Sequence, residues 1–176
     1  PDYAEAYYNM GNALTNMGNL EAAINSYKWA LKINPDNAEA YANMANALKD
    51  RGNLEAAIDS YKQALKINPD SAGVYNNMGI ALNDKGDLEA AICSFKQALK
   101  INPNYEKAYY NMGNTLNDKG DFEAAINSYK QAIKIKPEYV EAYINMGLAL
   151  KDKGDLEAAI EIYKQALKIK PDYAEA

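Results

Sequence analysis

Histidine is missing from this chain, and cysteine, tryptophan and phenylalanine are scarce. Among 176 residues there are no histidines, one cysteine, one tryptophan and two phenylalanines. Without histidine the chain lacks the commonest general base and the commonest metal ligand. A single cysteine excludes an intramolecular disulfide and is typical of a reducing compartment. We therefore expect a cytoplasmic protein with no metal and no cofactor that is not an enzyme.

Long apolar runs and an excess of basic residues are also lacking. No stretch approaches the roughly 20 apolar residues that cross a bilayer, and the chain does not open with the charged-then-apolar pattern of a secretion signal. The 19 basic residues are outnumbered by 24 acidic ones, which gives a net charge of −5. Such a charge disfavours nucleic acid as a partner. The expected partner is a protein or an extended peptide, with no membrane insertion.

What the chain does contain is one motif, repeated. The stretch Tyr7–Leu14 returns from Tyr41, Tyr75, Tyr109 and Tyr143, so each copy begins 34 residues after the last. A fixed period in this range is typical of a solenoid built from one supersecondary unit. The first and last six residues are identical, which is typical of a segment of a longer array. We divide the chain into five repeats and a partial sixth, at 4–37, 38–71, 72–105, 106–139, 140–173 and 174–176.

Each repeat predicts two helices joined by a tight turn. Apolar and small residues of the first repeat recur at helical spacing, at Tyr7, Met10, Gly11 and Leu14. A second apolar stripe ends before Pro35, because proline disfavours helical geometry in the residue before it. Asp36 with Glu39 has the spacing of a capping box at the start of a first helix, as does Asp2 with Glu5. One glycine per repeat is expected to end the first helix, with Asn or Asp directly after it as the next N-cap: Gly18, Gly52, Gly86, Gly120 and Gly154.

The pattern of large and small residues indicates how the helices pack. Gly11 and Ala23 are spaced so that two antiparallel helices can approach closely, with Tyr7 and Tyr27 beside them. One helix pair alone leaves a face unburied, and the next pair covers it.

On these residues the chain resembles the tetratricopeptide repeat family over its whole length. The matching positions of the first repeat are Tyr7, Met10, Gly11, Leu14, Gly18, Ala23, Tyr27, Ala30 and Pro35. The other repeats match nearly as well, and their main departure is Ala45 in place of glycine. The resemblance implies an all-α, right-handed superhelical solenoid of antiparallel helix pairs. It also implies that the first helices line a concave groove that binds protein.

Six positions of each repeat are expected to face that groove: the second, fifth, sixth, ninth, twelfth and thirteenth. The sixth is asparagine in every repeat, while the fifth and ninth vary. Inheritance from one duplicated ancestor is an alternative explanation, but the sequence offers no packing reason for asparagine, a mediocre helix former. We predict a peptide-binding set made of the asparagine row, three ninth-position asparagines and two fifth-position tyrosines: Asn9, Asn43, Asn77, Asn111, Asn145, Asn12, Asn46, Asn114, Tyr8 and Tyr110.

A backbone-directed role follows from amide chemistry. An asparagine amide has a donor and an acceptor, so it can bond the N–H and C=O of one peptide unit. Packed helices lie about 8–10 Å apart and an extended chain advances about 3.3 Å per residue, so one asparagine would meet about every third ligand residue. The row resembles the asparagine ladder in the tetratricopeptide arm of O-linked N-acetylglucosamine transferase. The acidic row that accompanies that ladder is broken here by Gly73 and Lys107.

One known groove of the family is not expected here, and two alternatives to a peptide-binding module remain open. The two-carboxylate clamp of chaperone-binding relatives is expected to be absent, because Tyr8, Gly73 and Asn77 replace its basic residues. The chain is also interpretable as a substrate-recruiting arm of a larger glycosyltransferase-like enzyme.

The second alternative is a scaffold that polymerises end to end as a head-to-tail homo-oligomer. Apolar residues at the two ends carry this prediction: Tyr7, Met10 and Leu14 at the front, and Leu156, Ile160, Tyr163 and Leu167 at the back. Trp29 stands where the other repeats have glutamine. Its role stays open between a partner contact, cover for a neighbouring chain and none.

Overall fold

The structure is a computed structural model that describes residues 3–171. Within that range every regular element is helical, and the all-α prediction is confirmed. The helices are α1 (Tyr3–Asn16), α2 (Leu20–Ile33), α3 (Ala38–Asp50), α4 (Leu54–Ile67), α5 (Ala72–Asp84), α6 (Leu88–Ile101), α7 (Glu106–Asp118), α8 (Phe122–Ile135), α9 (Val140–Lys153) and α10 (Leu156–Ile169). None of these described helices is long and apolar enough to cross a membrane. The predicted partial repeat at 174–176 lies outside the described residues.

The chain divides into two compact units, 1–87 and 88–176. In the first, α1 packs against α2 and α3 against α4, and these pairs stack through α2 with α3 and α4 with α5. In the second, the pairs α7 with α8 and α9 with α10 stack through α8 and α9, and α6 packs against α7. Each unit is therefore a stack of helix hairpins in which first helices of neighbouring repeats touch.

Glycine ends the first helix of each repeat as predicted. The five turn glycines have φ between 75° and 95°, the left-handed region that side chains with a Cβ rarely adopt. The residue after the glycine then caps the second helix. Asn19, Asp121 and Asp155 each accept a bond from the backbone N–H three residues on, at 3.4, 3.2 and 3.3 Å. The local sequence therefore determines where the first helix ends and where the second helix begins.

The predicted capping box of Asp36 and Glu39 is wrong by one residue. Helix α3 begins at Ala38, and its cap is Asn37, whose Oδ1 accepts from the N–H of Ala40 at 2.9 Å. Asp36 is held in the preceding turn, where its N–H donates to Oδ1 of Asn34 at 3.3 Å. The corresponding pair at the front of the chain includes Asp2, which lies outside the described residues.

The close helix approach is confirmed, with a tyrosine ring rather than Ala23 against the glycine. A Cβ added to Gly11 would lie 2.5 Å from Cε1 of Tyr27, and one added to Gly113 would lie 2.6 Å from Cε1 of Tyr129. Such distances are far inside van der Waals contact, so a methyl group at Gly11 or Gly113 would require the ring to shift. The second repeat has Ala45 at this position and still buries its tyrosine, Tyr61. The hydroxyl of the buried tyrosine therefore reaches the first helix of its own repeat.

Candidate functional site

The predicted site residues meet in a hydrogen-bonded chain that joins two repeats. Nδ2 of Asn43 on α3 donates to Oδ1 of Asn12 on α1 at 3.0 Å. The hydroxyl of Tyr27 on α2 donates to the same oxygen at 2.8 Å. We call this arrangement the amide relay: a sixth-position amide, the ninth-position amide of the preceding repeat, and that repeat's buried tyrosine. It ties three helices together at one oxygen atom.

Two further junctions have the same relay. In the first unit, Oδ1 of Asn46 accepts from Asn77 at 3.1 Å and from Tyr61 at 2.6 Å. In the second unit, Oδ1 of Asn114 accepts from Asn145 at 2.9 Å and from Tyr129 at 2.8 Å. Burial raises the pKa of the Tyr61 and Tyr129 hydroxyls far above its usual value, so both hydroxyls remain donors even at alkaline pH.

The fifth-position tyrosines complete two of the relays. Nδ2 of Asn43 also donates to the hydroxyl of Tyr8 at 3.2 Å, and Nδ2 of Asn145 donates to that of Tyr110 at 3.1 Å. Both N–H groups of these two amides are therefore used within the protein. This overturns the premise that packing gives no reason for asparagine: the amide bridges repeats, and a residue without two donors would leave bonds unmade.

A sequence signal for the relay exists and was missed. The ninth-position asparagines Asn12, Asn46 and Asn114 occur in repeats that carry tyrosine at the buried second-helix position. The third repeat has Ile80 and Phe95 at these two positions, so both polar groups are absent together. The fifth repeat departs from the pairing, with Leu148 and Tyr163. The relay is therefore indicated by the joint occurrence of asparagine at the ninth position and tyrosine on the second helix, and not by the invariance of the sixth position alone.

Some amide atoms of the relay make no hydrogen bond within the described residues. Within the described part of the chain, no donor reaches Oδ1 of Asn43 or of Asn145, and Nδ2 of Asn12 and of Asn114 makes no bond. Each of these two junctions therefore presents one acceptor and one donor. The two come from different repeats.

A cavity of about 340 Å³ lies at the first relay. No charged side chain lines it. Its lining residues are Asn12, Thr15, Asn16, Tyr27, Asn43 and Asn46. Elsewhere in the asparagine row, Asn9 is exposed on α1, whereas Asn77 and Asn111 are half-buried on α5 and α7.

An aromatic cluster flanks the relay of the second unit. The rings of Tyr110 and Tyr139 lie 5.0 Å apart, and Nζ of Lys136 lies 4.8 Å from the centre of the Tyr139 ring. Burial, with smaller contributions from Tyr110 and nearby carboxylates, raises the pKa of Tyr139 to about 12. Among residues 3–171, no three His, Cys, Asp or Glu side chains group closely enough to hold a metal ion.

Comparison with known proteins agrees with this architecture. Family models described as TPR repeat match residues 45–83, 80–117 and 113–154, and models described as tetratricopeptide repeat match 4–37 and 140–173. A search of curated proteins gave no match.

Solved structures match over nearly the whole chain. A crystal structure of MamA protein is 30% identical with a TM-score of 0.89, covering 99% of this chain and 95% of that one. MamA 41-end from Desulfovibrio magneticus RS-1 is 20% identical with a TM-score of 0.90, covering 98% and 97%. YrrB, described as a TPR protein with an unusual peptide-binding site, is 24% identical with a TM-score of 0.79, covering 96% and 87%. By its repeats, its helix hairpins and these matches, the chain belongs to the tetratricopeptide repeat family.

Proposed function

We propose that this chain is a protein-interaction module that holds an extended peptide along its first helices, without catalysing a reaction. The observation that carries the proposal is the free acceptor and free donor at a relay junction, Asn43 Oδ1 and Asn12 Nδ2. An extended peptide presents N–H and C=O groups in alternation, which is the complement of that pair.

The relay supports this role by fixing the amides before a ligand arrives. Asn43 is held by two donated bonds, and Asn12 by two accepted ones. Side chains that are already immobile lose little rotamer entropy on binding, which raises affinity for a given set of contacts. In this mechanism two asparagines of adjacent repeats share one peptide unit, instead of one asparagine making both bonds.

The lining of the cavity sets the kind of ligand. Its six lining side chains are uncharged, and the free atoms of Asn43 and Asn12 are suited to bond a peptide backbone. We therefore infer weak selection for ligand side chains and binding that depends little on salt. In this proposal the asparagine row acts like the asparagine ladder of the glycosyltransferase arm. The proposal includes a role for the chain as the substrate-recruiting arm of such an enzyme. The peptide-binding site described for YrrB gives a precedent for this use of the fold.

The test is a selection of phage-displayed 12-residue peptides on the 176-residue chain, followed by affinity measurement with the synthetic peptides. Asn43→Ala is expected to weaken binding about two- to tenfold, the equivalent of one hydrogen bond of about 0.5–1.5 kcal/mol. Tyr27→Phe is the matched control, because it breaks the same relay, changes one atom of the cavity lining and leaves the Asn43 acceptor in place. Equal losses in both variants would mean that only fold stability matters, and unchanged affinity in Asn43→Ala would refute the proposed contact.

A further inference from the structure

A small apolar pocket opens in the first unit where the second repeat meets the third. Its volume is about 60 Å³. Two exposed residues, Glu39 and Asn68, place their polar groups at its solvent side, and Ser71 also contributes to its lining. Its apolar walls come from three helices, α3, α4 and α5, and consist of Ala38, Ala42, Ala64 and Val74. We call this space the Ala42 pocket.

The pocket exists because the fifth position of the second repeat is alanine. The first repeat has Tyr8 there, and its hydroxyl accepts a bond from the first helix of the next repeat at 3.2 Å. The fourth repeat has Tyr110, whose ring centre lies 5.0 Å from that of Tyr139. In the second and third repeats the same two positions hold Ala42 and Ser71. The rings that fill this space in the first and fourth repeats are therefore missing here.

The missing tyrosine also leaves one hydrogen bond unmade. Nδ2 of Asn77 donates to Oδ1 of Asn46 at 3.1 Å, as its counterpart Asn43 does in the first relay. The second N–H of Asn77 has no acceptor within residues 3–171, because Ala42 carries no hydroxyl. Val74 and Asn77 are three residues apart on α5 and so share one face of that helix. An apolar pocket and a free donor thus lie about one helical turn apart.

We propose that the Ala42 pocket takes one aliphatic side chain of the bound peptide, in the place of the missing tyrosine ring, while a peptide carbonyl accepts from Asn77. This inference rests on the proposed function. Ala42 directly precedes Asn43, whose Oδ1 is the proposed acceptor for the peptide backbone, so a peptide bonded there passes the pocket. The backbone bonds select little among side chains, and the pocket adds selection at one ligand position.

The lining favours valine, leucine, isoleucine or methionine as the occupant. One water needs about 10–15 Å³ of a cavity, so the pocket has room for several, but its alanine and valine walls offer them no hydrogen bonds. Displacing weakly held water by an apolar group favours binding. A polar side chain placed against the same walls would lose hydration without a partner.

The probes for the test are 12-residue peptides selected on the 176-residue chain, each with its full set of single alanine replacements. One aliphatic position is expected to recur, and alanine there is expected to weaken binding about ten- to fiftyfold, or about fourfold for each of two or three buried carbon groups. Ala42→Tyr is expected to abolish this loss, because it builds the ring of the first and fourth repeats into the pocket. Ala42→Leu is expected to do the same without adding a hydroxyl beside Asn77.

Gln63→Tyr is the matched control and is expected to keep the full loss. It adds the same ring at an exposed position of α4, outside the pocket, where the first repeat carries Trp29. An unchanged helical signal by circular dichroism verifies that each variant folds.

The outcomes separate this inference from the proposed function. The pocket is overturned if Asn43→Ala weakens binding but the peptides share no aliphatic position, or share a basic one drawn by Glu39. It is also overturned if the alanine loss persists in both Ala42 variants. Unchanged affinity in Asn43→Ala would overturn the proposed function, and this inference with it.

Discussion

The relay predicts a specific coupling between Tyr129 and Asn114. The tyrosine hydroxyl donates to Oδ1 of Asn114 at 2.8 Å, and the ring is buried. Tyr129→Phe deletes this hydroxyl and leaves the oxygen with its second donor, Asn145. We expect a loss of about 1 kcal/mol in the free energy of unfolding, the usual net value of one buried hydrogen bond. For a chain of this size that is about 2–4 °C in Tm.

Asn114→Ile is expected to cost more, about 1–3 kcal/mol, because it leaves the buried Tyr129 hydroxyl without a partner. Asn145 keeps its bond to the hydroxyl of Tyr110. Combining Asn114→Ile with Tyr129→Phe removes the orphaned hydroxyl, so the double variant is expected to lose less than the sum of the singles by at least about 0.5 kcal/mol. The third repeat, with Ile80 and Phe95, already has this combination.

Urea unfolding followed by far-ultraviolet circular dichroism measures all three variants. Tyr109→Phe is the matched control, since within the described chain the Tyr109 hydroxyl makes no hydrogen bond. Its cost is expected to stay below about 0.5 kcal/mol, typical of a change that removes no named interaction. The reasoning would be refuted if Tyr129→Phe cost no more than this control, or if the double variant lost the full sum of the two singles.

Two further predictions concern packing and alkaline pH. Gly113→Ala is expected to destabilise the fold by about 1–3 kcal/mol, because the new Cβ would lie 2.6 Å from Tyr129 Cε1. A Cβ at Gly73 would meet nothing within 4 Å. Gly73→Ala is therefore expected to be neutral or to stabilise the fold by up to about 1 kcal/mol. Thermal unfolding of the two variants checks this, and equal effects would contradict it. Because burial raises the pKa of Tyr139 from 10.0 to about 12, its contribution to stability is complete below pH 10 and is lost as pH rises toward 12. Tm measured from pH 9 to 12 is expected to fall less in Tyr139→Phe than in the unaltered chain, and parallel curves would contradict the assignment.

Local signals were enough to predict the helices, their turns and the family. Gly18 and Asn19 act through the backbone of their own turn, so their roles can be predicted from a few neighbouring residues of the sequence. The N-cap of α3 is Asn37 and not the predicted Asp36, which shows where such local prediction fails. Adjacent residues compete for one cap position, and the preceding turn, which holds Asp36, decides between them.

The bonds of the candidate site were beyond local reasoning. Both N–H groups of Asn43 are taken up by Tyr8 and Asn12 on α1, and Asn12 is held in turn by Tyr27 on α2. The sequence identified the row of asparagines but not what their amides contact.

The most direct test of the proposed function is an N-methyl scan of a peptide selected on the chain. Each backbone N–H is methylated in turn, and affinity is measured by fluorescence anisotropy. Because the proposed free acceptors are Oδ1 of Asn43 in the first unit and Oδ1 of Asn145 in the second, we expect losses of about two- to tenfold at the few ligand residues whose N–H meets these oxygens, with little effect elsewhere. Uniform tolerance of methylation along the whole peptide would contradict backbone recognition by the asparagine row.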